Sequence, residues 1–217
     1  MAHPTVTEFQ DLLLKSTLPD VLEQYVLEGE AFDGIPYVFQ NQPRAFDTLR
    51  QHLTDTLKLN SPKDITVVGS AKIGFSLSPH NFPRHFSDES DIDVVVVDEA
   101  LFDKYWMIMV EWNYPRRTIR LAQGDWEWIK KRKNELFWGW FLPDRIQYKG
   151  LYRPHILKPL LDISNRWFDA FQSLALYPEF AERKVSGRLY RTFEHARLYH
   201  LDGLRQIKRI ITNMQRA

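Results

Sequence analysis

The chain reads as an α/β protein in which a few short strands are wrapped by helices into a single unit. Three observations lead there. Two β-branched runs, Ile65-Thr66-Val67-Val68 and Ile92-Asp93-Val94-Val95-Val96-Val97, have the residue types and length of buried strands. Residues 185–192 alternate Val185, Gly187, Leu189 and Arg191 against Ser186, Arg188, Tyr190 and Thr192, the period of a strand with one polar face. Between and around these, apolar residues recur at three- and four-residue spacing, the signature of helices with one buried stripe.

Taken in order, Thr7-Glu8-Phe9 with Leu12, Leu13 and Leu14 predicts a short first helix, and Pro19-Asp20-Val21-Leu22 opens a second through Tyr25, Val26 and Leu27. Gly34-Ile35-Pro36-Tyr37 interrupts them. Pro43 then opens a helix carrying Phe46, Leu49, Leu53 and Leu57 that ends before the strand at Ile65. After Asp98 a helix from about Ala100 carries Phe102, Trp106, Met109 and Val110 as far as Asn113-Tyr114-Pro115. A further helix holds Trp126, Trp128, Ile129, Phe137 and Trp138 among Lys130, Lys131, Arg132 and Lys133. Such interleaving can bind single-stranded nucleic acid, and is otherwise a tryptophan core face backed by a solvated lysine face, which is the reading preferred here. Leu160-Leu161-Asp162-Ile163-Ser164 has the look of a short strand. A final helix with Ala196, Tyr199, Leu204, Ile207, Ile210 and Ile211 closes the core and turns Arg205, Lys208 and Arg209 outward. The organisation is one unit over 1–217: N-terminal helices (1–60), a motif core (61–100) and a helical plus strand part (101–217).

Composition narrows the function classes. Hydrophobic residues at 44% and charged residues at 26% describe an ordinary globule, and a formal charge of +1 argues against a strongly basic nucleic-acid binder. The absence of cysteine excludes disulfides, thiolate catalysis and Cys-based zinc sites. No apolar run reaches transmembrane length, and Met1-Ala2-His3-Pro4 lacks the features of a signal peptide, so a cytoplasmic location without a membrane partner is expected.

One stretch demands a chemical explanation. Val67-Val68-Gly69-Ser70 ends a strand in a small-residue turn whose backbone N–H groups and Ser70 hydroxyl suit a phosphate. After a polar loop, Ser90-Asp91-Ile92-Asp93 leads into the apolar run, and a side-chain period of two puts Asp91 and Asp93 on one face. Like charges held together need a cation between them, and Mg²⁺ with hard oxygen ligands suits two carboxylates. Lys72 lies two residues past Ser70 and is a candidate point charge for the same phosphates.

The stretch VVGSAKIGFSLSPHNFPRHFSDESDIDVVVV resembles the nucleotidyltransferases of the DNA polymerase β-like superfamily, whose motif is a hydrophobic strand, Gly-Ser, a variable stretch and Asp-x-Asp on the next strand. The resemblance covers roughly residues 64–98. It implies a small mixed sheet of nucleotidyltransferase type flanked by helices. It also implies template-independent, metal-dependent transfer of a nucleotide from an NTP or dNTP to a hydroxyl acceptor, with release of pyrophosphate. Asp91 and Asp93 would be the catalytic and metal ligands for two Mg²⁺ or Mn²⁺ ions, and Gly69, Ser70 and Lys72 would hold the nucleotide triphosphate (ATP or another). Oligonucleotide, RNA or protein are the acceptors to consider, an effector or antitoxin protein is the partner to consider, and nucleotide signalling in bacterial antiviral defence is the expected setting.

Departures from the family pattern carry weight. The stretch between Ser70 and Asp91 is long and holds Pro79, His80, Pro83, Arg84 and His85, an inserted loop expected to border the pocket with its histidines facing solvent. The family usually adds a third acid on a later strand, for which Asp162 is the first candidate and Glu194 the second. If the 185–192 strand lies beside the Asp-x-Asp strand, Arg188 would reach the triphosphate, and Tyr190 would stack a base or offer its hydroxyl as acceptor, with Tyr199 a second candidate for self-modification. Two other classes stay open: a nucleotide- or RNA-binding module without chemistry, and a toxin–antitoxin enzyme or complex-forming protein anchored by some of the seven tryptophans.

Overall fold

A computed structural model describes residues 3–114, 123–146, 151, 154–180 and 183–216. Helix α1 (Val6–Lys15) starts in a capping box in which Thr5 and Glu8 satisfy each other's backbone N–H groups, and it buries Phe9 and Leu13 one turn apart. Helix α2 (Leu18–Val21) runs directly into a π-helical turn (Leu22–Leu27) that buries Leu22, Val26 and Leu27. Pro43 opens α3 (Pro43–Leu57), whose Phe46, Leu49, Leu53 and Leu57 are buried and which ends at Lys58 in a left-handed conformation (φ 61°). Strand β1 (Ile65–Val68), the one-turn helix α4 (Ser70–Ile73) and strand β2 (Ile92–Val97) form the centre, and Asp98 caps α5 (Glu99–Asn113) by accepting from the Leu101 N–H at 2.7 Å. Then follow α6 (Gln123–Phe137), β3 (Trp140–Phe141), α7 (Pro154–Leu157), α8 (Pro159–Gln172), β4 (Val185–Tyr190) and α9 (Phe193–Arg216).

Among the described residues, four strands make one mixed sheet in the order β1-β2-β4-β3. β1 pairs antiparallel with β2, with Val68 opposite Asp93; β4 pairs parallel with β2, with Ser186 opposite Asp93 and Arg188 opposite Val95. The expected strand at 185–192 thus does lie beside the Asp-x-Asp strand. One sheet face carries Ile65, Val67, Ile92, Val94, Val96, Val185 and Leu189 and packs on α3, α5 and α8 through residues such as Leu49, Phe102, Leu160 and Trp167. The other carries Val68, Val95 and Tyr190 and packs on α1, the π-helical turn and α9 through Phe9, Leu13, Val26, Leu204 and Ile207. Each fully buried Leu or Phe in these layers contributes roughly 1.5–3 kcal/mol of transfer free energy. Gly187 leaves β4 bare under α8: a Cβ there would stand 2.3 Å from Phe171 Cζ, so the missing side chain is what lets the helix approach.

Two expectations are corrected. The 160–164 segment is helix, because Leu160, Ile163, Trp167 and Ala170 form a single 3.6-period stripe that a five-residue window cannot display, and Pro159 stands in its first turn. The inward face of α6 is Asp125, Ile129, Arg132 and Glu135, not its tryptophans. Arg132 and Glu135 form a buried ion pair at 2.8 Å, while Trp126 and Trp138 are exposed and Trp128 packs edge-on against Trp112. Lys130, Lys131 and Lys133 are solvated as expected. Among the described residues no helix is long and apolar enough to cross a membrane.

Candidate functional site

The site forms where β1 ends. Gly69 takes φ 68°, ψ −145°, a conformation essentially closed to residues with a Cβ, and this turns the chain from the strand into α4. The same bend passes beside β2, and a Cβ on Gly69 would lie 3.7 Å from Asp93 Oδ2. The small-residue turn and the Asp-x-Asp strand, separate in sequence, therefore share one spot. Val68, Asp93 and Ser186 stand in a row across three strands, and the parallel register brings residues before Ser186 alongside Asp91.

Both acids have partners from the β4 side. Ser186 Oγ donates to Asp93 Oδ1 at 3.1 Å, and Lys184 Nζ donates to Asp91 Oδ2 at 2.7 Å, with both Lys184 and Asp91 open to solvent. Arg183 fastens the preceding loop by donating to the Ser87 carbonyl at 3.0 Å and to Asp88 at 2.8 Å. The Asp93 side chain is exposed to solvent and lines the cleft, and its carboxyl is held above the usual carboxylate range. Loss of water is the first cause; Asp91 also raises it, against the lowering influence of Ser186, Arg188 and Lys184.

Asp93, Gly69, Leu77 and Ser78 form the shared wall of two hollows. The smaller, about 320 Å³, is polar and is lined by Ser70, Ser76, Asn81, Arg84, Glu89, Ser90 and Asp91. The larger, about 1060 Å³, is lined by Trp138, Trp140, Ser186, Arg188, Tyr199 and His200 among others. The inserted stretch forms one bank of both: Ser76 N–H donates to the Arg84 carbonyl at 2.8 Å and Phe86 N–H to that of Gly74 at 2.9 Å, closing it into a short hairpin. His80 is exposed at the larger hollow and His85 is exposed on the hairpin.

Arg188 lies between aromatic rings, its guanidinium 4.4 Å from the centroids of both Trp140 and Tyr199, and it donates to the Tyr190 hydroxyl at 3.4 Å. Tyr190, expected to stack a base or serve as acceptor, is buried with its hydroxyl accepting from Arg188, and burial raises its phenol's pKa; Tyr199 is 41% exposed at the rim. His200 Nε2 has no hydrogen-bond partner, and its ring is held down to about 4, first by burial and then by Arg188.

Lys72 does not reach the Gly69-Ser70 turn. Its ammonium donates to the carbonyls of Leu27 at 3.0 Å and Glu28 at 3.2 Å, at the end of the π-helical turn, and is wholly buried. Burial, then Arg50, holds it down to about 8. Two residues along a helix point to nearly opposite sides, so Ser70 facing the cleft sends Lys72 into the core. Asp162 is exposed on α8, which packs on the sheet face opposite Ser186, and Glu194 in the first turn of α9 pairs with Arg197 at 3.2 Å. Neither supplies a third acid, and among the described residues no group of three His, Asp or Glu is assembled to hold a metal.

Sequence reasoning gave no site role of their own to Lys184, Ser186, Arg84 or Trp140. The first two were detectable by running the alternation of β4 backwards from Arg188. As a donor set, two carboxylates and neighbouring serine hydroxyls are hard oxygens, and they fit Mg²⁺, which is commonly held by one or two carboxylates plus substrate phosphates. The chain matches no family model, no curated protein and no solved structure.

Proposed function

We propose that the cleft transfers a nucleotide from a nucleoside triphosphate to a hydroxyl acceptor without a template. The observation that carries this reading is the contact between the Gly69-Ser70 bend and Asp93, at the wall common to a polar and an aromatic hollow. The polar hollow suits a triphosphate, with Ser70 and Asn81 as donors and Arg84 as the cation in place of Lys72. The aromatic hollow suits a base, stacked on Trp138 or Trp140. Asp91 and Asp93 would hold a divalent cation, which supplies charge neutralisation for the phosphates and acidifies a nearby hydroxyl. In the transfer the acceptor oxygen bonds to the α-phosphorus and the bond from that phosphorus to the bridging oxygen breaks. Pyrophosphate leaves with the electron pair, and the hydroxyl proton passes to water in the open cleft.

The test is pyrophosphate release from each ribo- and deoxyribonucleoside triphosphate with Mg²⁺ or Mn²⁺, with and without RNA, DNA and protein acceptors. Asp93→Asn is expected to lower release at least about 100-fold, because transition-state charge loses its counter-charge. Its Tm is expected to hold, since the side chain is exposed near the start of β2. A second reading, a nucleotide-binding module without chemistry, is favoured by the Lys184–Asp91 ion pair, which already compensates one acid. Tight nucleotide binding with no pyrophosphate from any substrate decides for that module.

A further inference from the structure

Arg188 is a cation placed among rings rather than at the triphosphate hollow. It lines the aromatic hollow and not the polar one, which has Arg84 as a cation of its own. Ser186 stands opposite Asp93, and Arg188, two residues on, projects from the same face of β4 about 6.6 Å further along the strand. A nucleotide with its phosphates at Asp93 and its sugar crossing that interval brings its base to Arg188. Trp140 and Tyr199, at 69° to each other, form the corner that holds the guanidinium, each ring centroid 4.4 Å from its carbon. Among the described residues no carboxylate pairs with it, and its bond to the Tyr190 hydroxyl is long at 3.4 Å. An arginine fork carries several more N–H donors than that bond uses.

Resting on the transferase reading for where the phosphates lie, we propose that Arg188 reads the base and that the cleft selects guanine. A planar fork of donors matches two acceptors lying side by side in one plane. Guanine offers O6 and N7, whereas adenine sets an N6 donor beside N7, so that donor would meet donor. Cytosine also has two neighbouring acceptors, O2 and N3, but the tryptophan-lined hollow, with Trp138 61% exposed, gives the larger purine more stacking area.

The experiment is calorimetric titration of the full chain, with Mg²⁺, by the α,β-imido triphosphates of guanosine, inosine, adenosine, cytidine and uridine, which bind without turnover. The guanosine and inosine analogues, sharing O6 and N7, are expected to bind at least about tenfold more tightly than the other three. The 7-deazaguanosine analogue, without the N7 acceptor, is expected to lose most of that preference. Arg188→Lys keeps the charge but not the fork, and is expected to bring guanosine down to the affinity of adenosine while adenosine stays unchanged, with Tm as the check on folding. Equal binding of all bases, preference for another base, or full affinity for 7-deazaguanosine each overturns guanine reading on the wild type alone. An Arg188→Lys protein that weakens every analogue alike marks a phosphate contact and also overturns it. None of these results touches the transferase reading, which pyrophosphate release decides. Guanine selectivity with no pyrophosphate from any triphosphate upholds the role of Arg188 and overturns the transferase. No analogue bound overturns both.

Discussion

Replacing Lys72 by Met tests whether that side chain serves the fold or the nucleotide. The lysine is buried with its ammonium on two backbone carbonyls and is held down to about 8 from an ordinary 10.5. At about 1.4 kcal/mol per tenfold change in proton affinity, that gap is worth about 3 kcal/mol. The unfolded chain keeps this proton up to about 10.5 and the folded chain releases it near 8. Between those values the unfolded state binds more protons, so the lysine's contribution makes stability rise with pH. Lys72→Met fills similar space without a charge but strands the Leu27 and Glu28 carbonyls, at roughly 1–3 kcal/mol each, so at pH 7 relief and loss largely offset. The assay is urea unfolding followed by tryptophan fluorescence from pH 7 to 10 on both proteins. The wild type is expected to gain about 2–3 kcal/mol on the variant across that range, while nucleotide binding by the variant is unchanged. Parallel pH profiles, or a tenfold loss of nucleotide binding, would refute the placement of Lys72.

Gly69→Ala is expected to cost about 1–3 kcal/mol in urea unfolding, since the φ of 68° is strained for alanine while the nearest atom leaves room for the Cβ; it should also weaken nucleotide binding more than Ser70→Ala, which removes a single donor. His200 takes a proton at about 6.5 in the unfolded chain and only near 4 in the folded one, so its contribution to stability falls as pH drops from 6.5 towards 4, by up to about 3 kcal/mol. Thermal melts at pH 7.5, 6 and 5 check this, with His200→Phe expected to lose that part of the acid sensitivity.

Much of the fold was legible because its signals are local. The α3 stripe of Phe46, Leu49, Leu53 and Leu57, and the β-branched runs of β1 and β2, declare themselves within one window. Gly69, Ser70, Asp91 and Asp93 were legible as a set because residue chemistry and strand period agree. Lys72 was misplaced by reading nearness along the chain as nearness in space, when helical geometry turns it from Ser70. Asp162 was misread because only Trp167 and Ala170, beyond the five-residue window, establish its helix. β3, at two residues, is too short to show any period. Lys184 and Ser186 lay in a visible alternation, but their meeting with the acids depends on a parallel register that no local pattern encodes.

That register has a consequence for when the cleft is completed. Asp91 and Lys184 are separated by 93 positions, so the pocket wall is sealed only by closing a long loop, among the slowest and entropically costliest pairings the chain makes. A nascent polypeptide still lacking β4 already displays both acids at an unpaired strand edge, yet has no Ser186, Arg188 or Tyr199 beside them. The cleft is therefore completed late in synthesis, when β4 docks onto β2 and α9 follows.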